Sequence, residues 1–127
     1  MEKKTINAPD APAPVGGYPQ ALEVRGHSRT LYVSGQIPQT KEGSVPSDFS
    51  AQAQLAWRNV EAQLRAADMS LDNLVKVTTF LADRRYGMEN RKVRNDVLGS
   101  RPVALTVVIT GIFDEKWLLE VEAVAAA

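Results

Sequence analysis

The chain has 127 residues, of which 15 are basic and 15 acidic, so its formal net charge is zero. This balance argues against nucleic acid or an anionic membrane as a partner, and the absence of cysteine excludes disulfides, thiolate catalysis and cysteine-based metal sites. The length predicts a single domain over residues 1–127. No apolar run approaches the roughly 18 residues of a membrane helix, and residues 1–4 lack the apolar segment of a signal peptide. We therefore expect a cytoplasmic protein.

The first quarter of the chain is predicted to be an irregular arm followed by a hairpin. Residues 7–19 contain four prolines and two glycines, which excludes helix and central strand. We expect an ordered arm that delivers Tyr18 to a particular place. Segments 20–25 and 30–37 have strand character and are predicted to pair around a turn at 26–29.

A helix over residues 49–67 is the clearest predicted element. Apolar residues recur there at spacings of three and four, and Ser47 or Asp48 precedes them as a capping residue. Trp57 lies on the apolar stripe and is assigned to the core. The following segment, 74–81, is rich in β-branched and apolar residues and is predicted to be a strand.

The last third is predicted to hold a second helix and two strands. The helical region runs from Asp83 to Leu98 and ends at Gly99, a residue type typical of helix ends. Residues 103–109 are almost wholly apolar, which favours a central strand covered on both faces, and 118–124 alternate to form the last strand. The basic residues of the helical region are predicted to form a solvated face: Arg84, Arg85, Arg91, Lys92 and Arg94. The resulting order, ββαβαββ, indicates an α+β fold with helices on one sheet.

Two motifs are distinctive in combination. Ser-Gly-Gln-Ile-Pro at 34–38 is a strand that meets a glycine and stops at a proline. A glycine inside a strand pattern predicts a bulge or a close approach of the backbone at Gly35. Glu-Val-Glu-Ala occupies 120–123. With the element order, they resemble the RidA/YjgF family of enamine/imine deaminases over essentially the whole chain. Further positions that match this family are spread along the sequence: Gly17, Tyr18, Gln52, Asn59, Asn90, Arg101 and Pro102.

The resemblance implies a chorismate-mutase-like mixed sheet with two helices on one face, assembled as a homotrimer. In such trimers the sheets face inward and three sites lie in clefts between subunits. The implied reaction adds water to the C=N carbon of a 2-imino acid, formed from its 2-enamine tautomer, and releases ammonia to leave a 2-keto acid. It implies no metal and no organic cofactor.

The same resemblance assigns the candidate site residues. Glu120 matches the acidic residue that orients or deprotonates water, a general-base role. Ser34 and the Gly35 backbone match the rim on the substrate side, and Tyr18 and Asn90 match a phenol and an amide near the ligand. A structural role for Glu120, as a hydrogen-bonded carboxylate at a trimer contact, stays open.

One departure from the family pattern bears directly on function. Family members with deaminase activity carry an arginine that binds the substrate carboxylate where this chain has Ala104, and a cysteine where it has Thr106. A guanidinium pairs with a carboxylate through two charge-assisted hydrogen bonds, and alanine makes none. Arg101 does not restore the contact, because the odd offset in a strand sends it to the opposite face. Thr106 is interpreted either as a substrate contact or as a buried strand residue.

Three functions remain open from the sequence. The first is a Rid-type hydrolase acting on a small imine, enamine or related molecule other than a standard 2-imino acid. The second is another hydrolytic step in the same cleft, and the third is a non-catalytic trimer that binds a small ligand or a protein partner. Members of this family have also been labelled ribonucleases, but the zero net charge and a single histidine, His27, in a predicted loop argue against that activity here. Whether the chain is an enzyme is left open.

Overall fold

The computed structural model describes residues 1–127 and contains six strands and two α-helices. The elements follow in chain order: β1 (Glu2–Ile6), β2 (Ala21–Arg25), β3 (Thr30–Gln36), α1 (Phe49–Ala66), β4 (Leu74–Leu81), α2 (Gly87–Leu98), β5 (Ala104–Ile109) and β6 (Leu119–Ala126). Short 3₁₀ turns at Leu71–Asn73 and Arg84–Tyr86 lead into β4 and α2. The observed order therefore has one strand more than the sequence predicted, at the N-terminus.

The main sheet is mixed and has four strands in the order β3-β6-β4-β5. β4 and β5 run parallel, whereas β6 is antiparallel to both β3 and β4. Both helices pack on one face of this sheet, where alternate strand residues enter the core, and the predicted α+β class is confirmed. The strand residues on this covered face share an exposure of 6% or less: Val33, Val77, Thr79, Leu81, Leu119, Val121, Ala123 and Ala125. The opposite face, which we call the open face, carries no helix.

The predicted hairpin between 20–25 and 30–37 is wrong. β2 instead pairs with β1 in a separate two-stranded sheet, and β3 pairs with the distant β6. Local sequence did not reveal β1 because three of its five residues are charged. Lys3 nevertheless contributes a tertiary contact, since its ammonium donates to the carbonyl oxygens of Asp72 and Leu74 at 2.6 and 3.0 Å. Burial lowers the pKa of this lysine.

The prediction that 103–109 forms a central strand is also wrong. β5 lies at the edge of the sheet with β4 as its single neighbour, and the central strands are β6 and β4. Its residues Val107, Val108 and Ile109 are 43%, 37% and 39% exposed. A continuous apolar run is typical of a strand covered on both faces, so this edge has the composition of an interior strand without the cover.

α1 agrees with its predicted bounds to within one residue, and α2 ends at Leu98 as predicted but begins at Gly87, because a 3₁₀ turn at Arg84–Tyr86 takes the first part of the predicted helical region. One charged residue does not lie where it was expected. Asp48 caps α1 by accepting a hydrogen bond from the Ala51 amide at 3.1 Å, and Trp57 is in the core at 1% exposure. Within the basic cluster of 84–94 the other four side chains are exposed, but Arg94 is only 5% exposed, so the prediction of a solvated face is wrong for it. Neither helix is long and apolar enough to cross a membrane.

Candidate functional site

A bulge in β3 shapes the first part of the candidate site. Val33 pairs with Ala123 and Gln36 pairs with Val121, so three steps along β3 correspond to two along β6. The extra residue falls at Ser34–Gly35, where the ladder between the strands is interrupted. Bulges bend a strand and redirect its side chains, and they are frequent beside active sites. Here the bulge turns the Ser34–Gly35 backbone toward the side chain of Glu120.

Gly35 is a glycine because Glu120 occupies the space of a side chain. A Cβ built on Gly35 would overlap Oε2 of Glu120 and would lie 2.7 Å from Cδ and 3.0 Å from Cγ. Contacts this short are not tolerated, so any side chain at position 35 would force the Glu120 carboxylate to move. The close approach predicted for Gly35 is therefore to Glu120. The glutamate is partly exposed on the open face, between the buried Leu119 and Val121.

Two amides on α1 hold the backbone on either side of this pair. Asn59 donates from Nδ2 to the carbonyl oxygens of Ile37 and Gln39 at 2.8 and 3.0 Å, which anchors the chain just after the bulge. Gln52, 2% exposed, donates to the Lys116 carbonyl at 2.9 Å and accepts from the Leu118 amide at 2.8 Å, just before β6. Both ends of the Gly35–Glu120 contact are thus fixed from one helix.

The open face also carries the residues that replace the family arginine and cysteine. Ala104 is the register partner of Lys76, and Nζ of Lys76 donates to the Thr106 hydroxyl at 2.5 Å. Thr106 is exposed, so its interpretation as a buried strand residue is wrong. Lys76 and Ser34 line a cavity of about 390 Å³ on this face. The other side chains projecting into that cavity are Tyr32, Thr78, Glu122 and Val124.

Tyr18 and Asn90 form a second group, away from Glu120. Asn90 is 2% exposed in α2, which packs on the covered face, and its Oδ1 has no hydrogen-bond partner. Tyr18 is half-buried at the end of the arm and lines a groove of about 360 Å³ with Pro102 and other residues. One chain therefore brings Gly35 and Glu120 together, with Ser34 on the same face, but leaves the phenol and the amide on the other side of the sheet.

Sequence reasoning gave no role in the site to four polar residues that shape these two groups: Lys76, Gln52, Asn59 and Arg94. The signal for Gln52 and Asn59 was their spacing of seven, which puts two amides on one helix face. Arg94 follows Asn90 by four residues and so lies on the buried stripe of α2. Arg101, by contrast, is occupied elsewhere, because its Nε donates to Asp72 at 2.7 Å.

The fold and the site define a class: a two-layer α+β protein in which a strand bulge holds a carboxylate against a glycine on an uncovered sheet face. The family model described as Endoribonuclease L-PSP matches residues 8–127. Together with the relatives below, this match shows that the chain belongs to the RidA/YjgF family.

Relatives and solved structures agree with this assignment. A RutC family protein of Aquifex aeolicus is 34% identical over 122 residues, which cover 94% of each chain. A mouse protein named 2-iminobutanoate/2-iminopropanoate deaminase is 32% identical over 126 residues, covering 97% of this chain and 90% of its own. The crystal structure of YyfB from Yersinia pestis, a Rid-family protein of unknown function, superposes with a TM-score of 0.86 over all of both chains at 23% identity. At that identity the likeness concerns the fold alone.

Proposed function

We propose that the protein is a Rid-type hydrolase that deaminates a small imine or enamine. The observation that carries the proposal is the Glu120 carboxylate packed over Gly35 on the open face; the neighbouring Ser34 lines a cavity of about 390 Å³. A full-length relative from mouse that is named as an imine deaminase supports the same reaction class. A cytoplasmic location and independence of metal and organic cofactors belong to the proposal, since hydrolysis of an imine needs only water.

Glu120 has the chemistry that this reaction requires. A water molecule attacks the carbon of the C=N bond while the carboxylate accepts one of its protons. The carboxylate passes this proton to the nitrogen, which gives an amino alcohol. Its hydroxyl proton then moves to the nitrogen through the same carboxylate, the C–N bond breaks, and ammonia leaves as a carbonyl forms. The sum is imine plus water giving a carbonyl compound plus ammonia. A positioned base typically contributes about 10²- to 10⁴-fold to such a step.

The proposal includes a homotrimer with sites between subunits. Tyr18 and Asn90 lie across the sheet from Glu120, so a cleft lined by all three requires residues from two copies. The composition of β5 supports the same assembly, because its apolar edge residues Val107 and Ile109 are exposed in one chain. Tyr32 adds a large aromatic surface to the open face at 78% exposure. Burying such surfaces is the usual driving force of symmetric association.

A non-catalytic role is the second candidate, and Ala104 favours it. The methyl group gives no contact to a carboxylate, and Arg101 is held by Asp72. A trimer of this kind would bind a small ligand or a protein partner without turnover. Binding of nucleic acid is not part of either candidate, since the chain has no net charge to attract phosphates.

Ammonia release separates the two candidates. Imines generated in situ by an amino-acid oxidase, together with a panel of neutral imines and enamines, are supplied to the wild-type protein and to Glu120→Gln. Turnover of any of these compounds that falls in the variant supports the hydrolase. If no compound is turned over while a small ligand still binds, the hydrolase is wrong and the binding protein is the better description.

A further inference from the structure

The open face carries two opposite charges that do not pair with each other. Lys76 and Glu122 both line the cavity of about 390 Å³, and neither takes part in an ion pair of the chain. Lys76 is half-buried, and its ammonium donates instead to the Thr106 hydroxyl at 2.5 Å. The cavity therefore presents one cation and one anion, each without a counter-ion from the chain.

Strand register explains why the two charges stay apart. Lys76 lies opposite Val124 in the pairing of β4 with β6. Glu122 lies opposite Thr78, so the two charged residues are diagonal neighbours, and such positions are roughly 7–8 Å apart. The Lys76 side chain also leans toward Thr106 on β5, which is on the side of β4 away from β6. Since Lys76 and Glu122 both line the cavity, a molecule bound there can contact both groups.

The rest of the cavity offers hydroxyl groups and a small apolar surface. Ser34 and Thr78 contribute hydroxyls that can donate or accept a hydrogen bond, and Tyr32 contributes a phenol. Val124 supplies an apolar wall between them. Lys76 is the one lining residue whose side chain makes a hydrogen bond within the chain. The volume is within the range of about 300–1,000 Å³ that is typical of small-molecule sites.

We propose that this cavity binds a small zwitterion in which a short methylene chain joins a carboxylate to an amine. Lys76 pairs with the carboxylate and Glu122 pairs with the ammonium group. The two charges also set the selectivity, because a ligand with one charge leaves either Lys76 or Glu122 without a partner. Glu120 does not line this cavity, so the site is separate from the carboxylate of the proposed hydrolysis and its test needs no turnover.

Three ligands of the same chain length separate the two contacts. γ-Aminobutyrate carries both charges, butyrate carries only the carboxylate, and protonated butylamine carries only the ammonium group. Each is titrated into the assembled wild-type protein and followed by ligand-observed NMR, which detects weak binding. γ-Aminobutyrate should bind more tightly than either of the others, because it alone satisfies both side chains. Butyrate or butylamine binding as tightly as γ-aminobutyrate would overturn the proposal.

Two substitutions assign the contacts. Lys76→Gln should weaken γ-aminobutyrate binding by about 10-fold or more, as expected for a lost hydrogen bond between charged groups, and should not weaken butylamine binding. Glu122→Gln should weaken γ-aminobutyrate binding by about 2- to 5-fold, as for an exposed ion pair, and should not weaken butyrate binding. Lys41→Gln and Glu42→Gln remove neighbouring exposed charges in another part of the chain. These matched controls should bind all three ligands like wild type.

The alternative to a ligand site is an ion pair between subunits. Sedimentation of each variant without ligand detects it: if both glutamine variants dissociate an assembly that the wild type forms, the two charges pair across an interface and the proposal is wrong. Lack of saturable γ-aminobutyrate binding to the wild type also refutes it, as does equal affinity of the wild type and both glutamine variants. Should a variant fail to fold, the comparison of the three ligands on the wild type still decides.

Discussion

Replacing Gly35 with alanine tests whether the position of the Glu120 carboxylate matters. The new Cβ would overlap Oε2 and lie 2.7 Å from Cδ and 3.0 Å from Cγ of Glu120. Gly35 does not have a left-handed backbone angle, so alanine can adopt its conformation without strain. The clash must therefore be relieved by rotation of the Glu120 side chain away from the bulge.

Gly35→Ala should lower the stability of the protein only slightly but lower its rate of ammonia release strongly. Overpacking a filled site costs typically about 1–3 kcal/mol, and the lower end applies because the side chain that moves is partly exposed and flexible. Displacing a catalytic group by about 1 Å can cost on the order of 100-fold in rate. We expect Gly35→Ala to lose about 1 kcal/mol of stability in urea denaturation and about 100-fold in ammonia release.

A glycine elsewhere and a double variant complete the experiment. A Cβ on Gly111 meets nothing within 4 Å, so Gly111→Ala should leave both stability and rate nearly unchanged. If Gly35 acts only through Glu120, adding Gly35→Ala to Glu120→Gln should lower the rate little further. Wild-type ammonia release by a folded Gly35→Ala protein would refute the reasoning, because the carboxylate would then tolerate displacement.

Three further predictions follow from the site and the sheet. Glu120→Gln should lower turnover by about 100-fold or more with unchanged sedimentation, and a parental rate would make Glu120 structural. Sedimentation equilibrium of the wild-type chain at micromolar concentration should give the mass of a trimer; a monomer would contradict both the assembly and the inter-subunit site. Ala104→Arg should raise the rate of ammonia release from 2-imino acids, and an unchanged rate would mean that position 104 does not face the substrate.

Elements with a strong internal period were predictable from sequence, whereas their partners in space were not. The apolar stripe of α1 and the alternation in β4 and β6 set these elements nearly to the residue. The pairing of β3 with β6 joins residues about 90 positions apart, and no local pattern encodes such a contact. β1 was not predicted because its residues are mostly charged and show no apolar alternation. One face of a strand at the surface is exposed to solvent, so its residues need not be apolar.

The candidate site was predictable where a glycine interrupts a strand pattern, and it was not predictable where burial decides. Gly35 interrupts an alternating strand, and that alone predicted a close approach. Arg94 was assigned to solvent because charged residues are rarely buried. Arg94 is four residues from both Asn90 and Leu98, and this spacing puts it on the buried face of α2. The helical spacing, not the charge, indicates where this residue lies.

The bulge in β3 makes the chain sensitive to changes of length at one point. The bulge depends on the presence of a residue at position 34, not on the identity of its side chain. Deleting Ser34 would leave the same number of residues between the two paired positions on β3 as on β6. The interrupted ladder of hydrogen bonds between these strands could then become continuous. The side chains of β3 would then alternate regularly between the two faces of the sheet, and the space beside Gly35 that holds the Glu120 carboxylate would be lost. Natural variants of this protein should therefore keep the number of residues between Val33 and Gln36 constant.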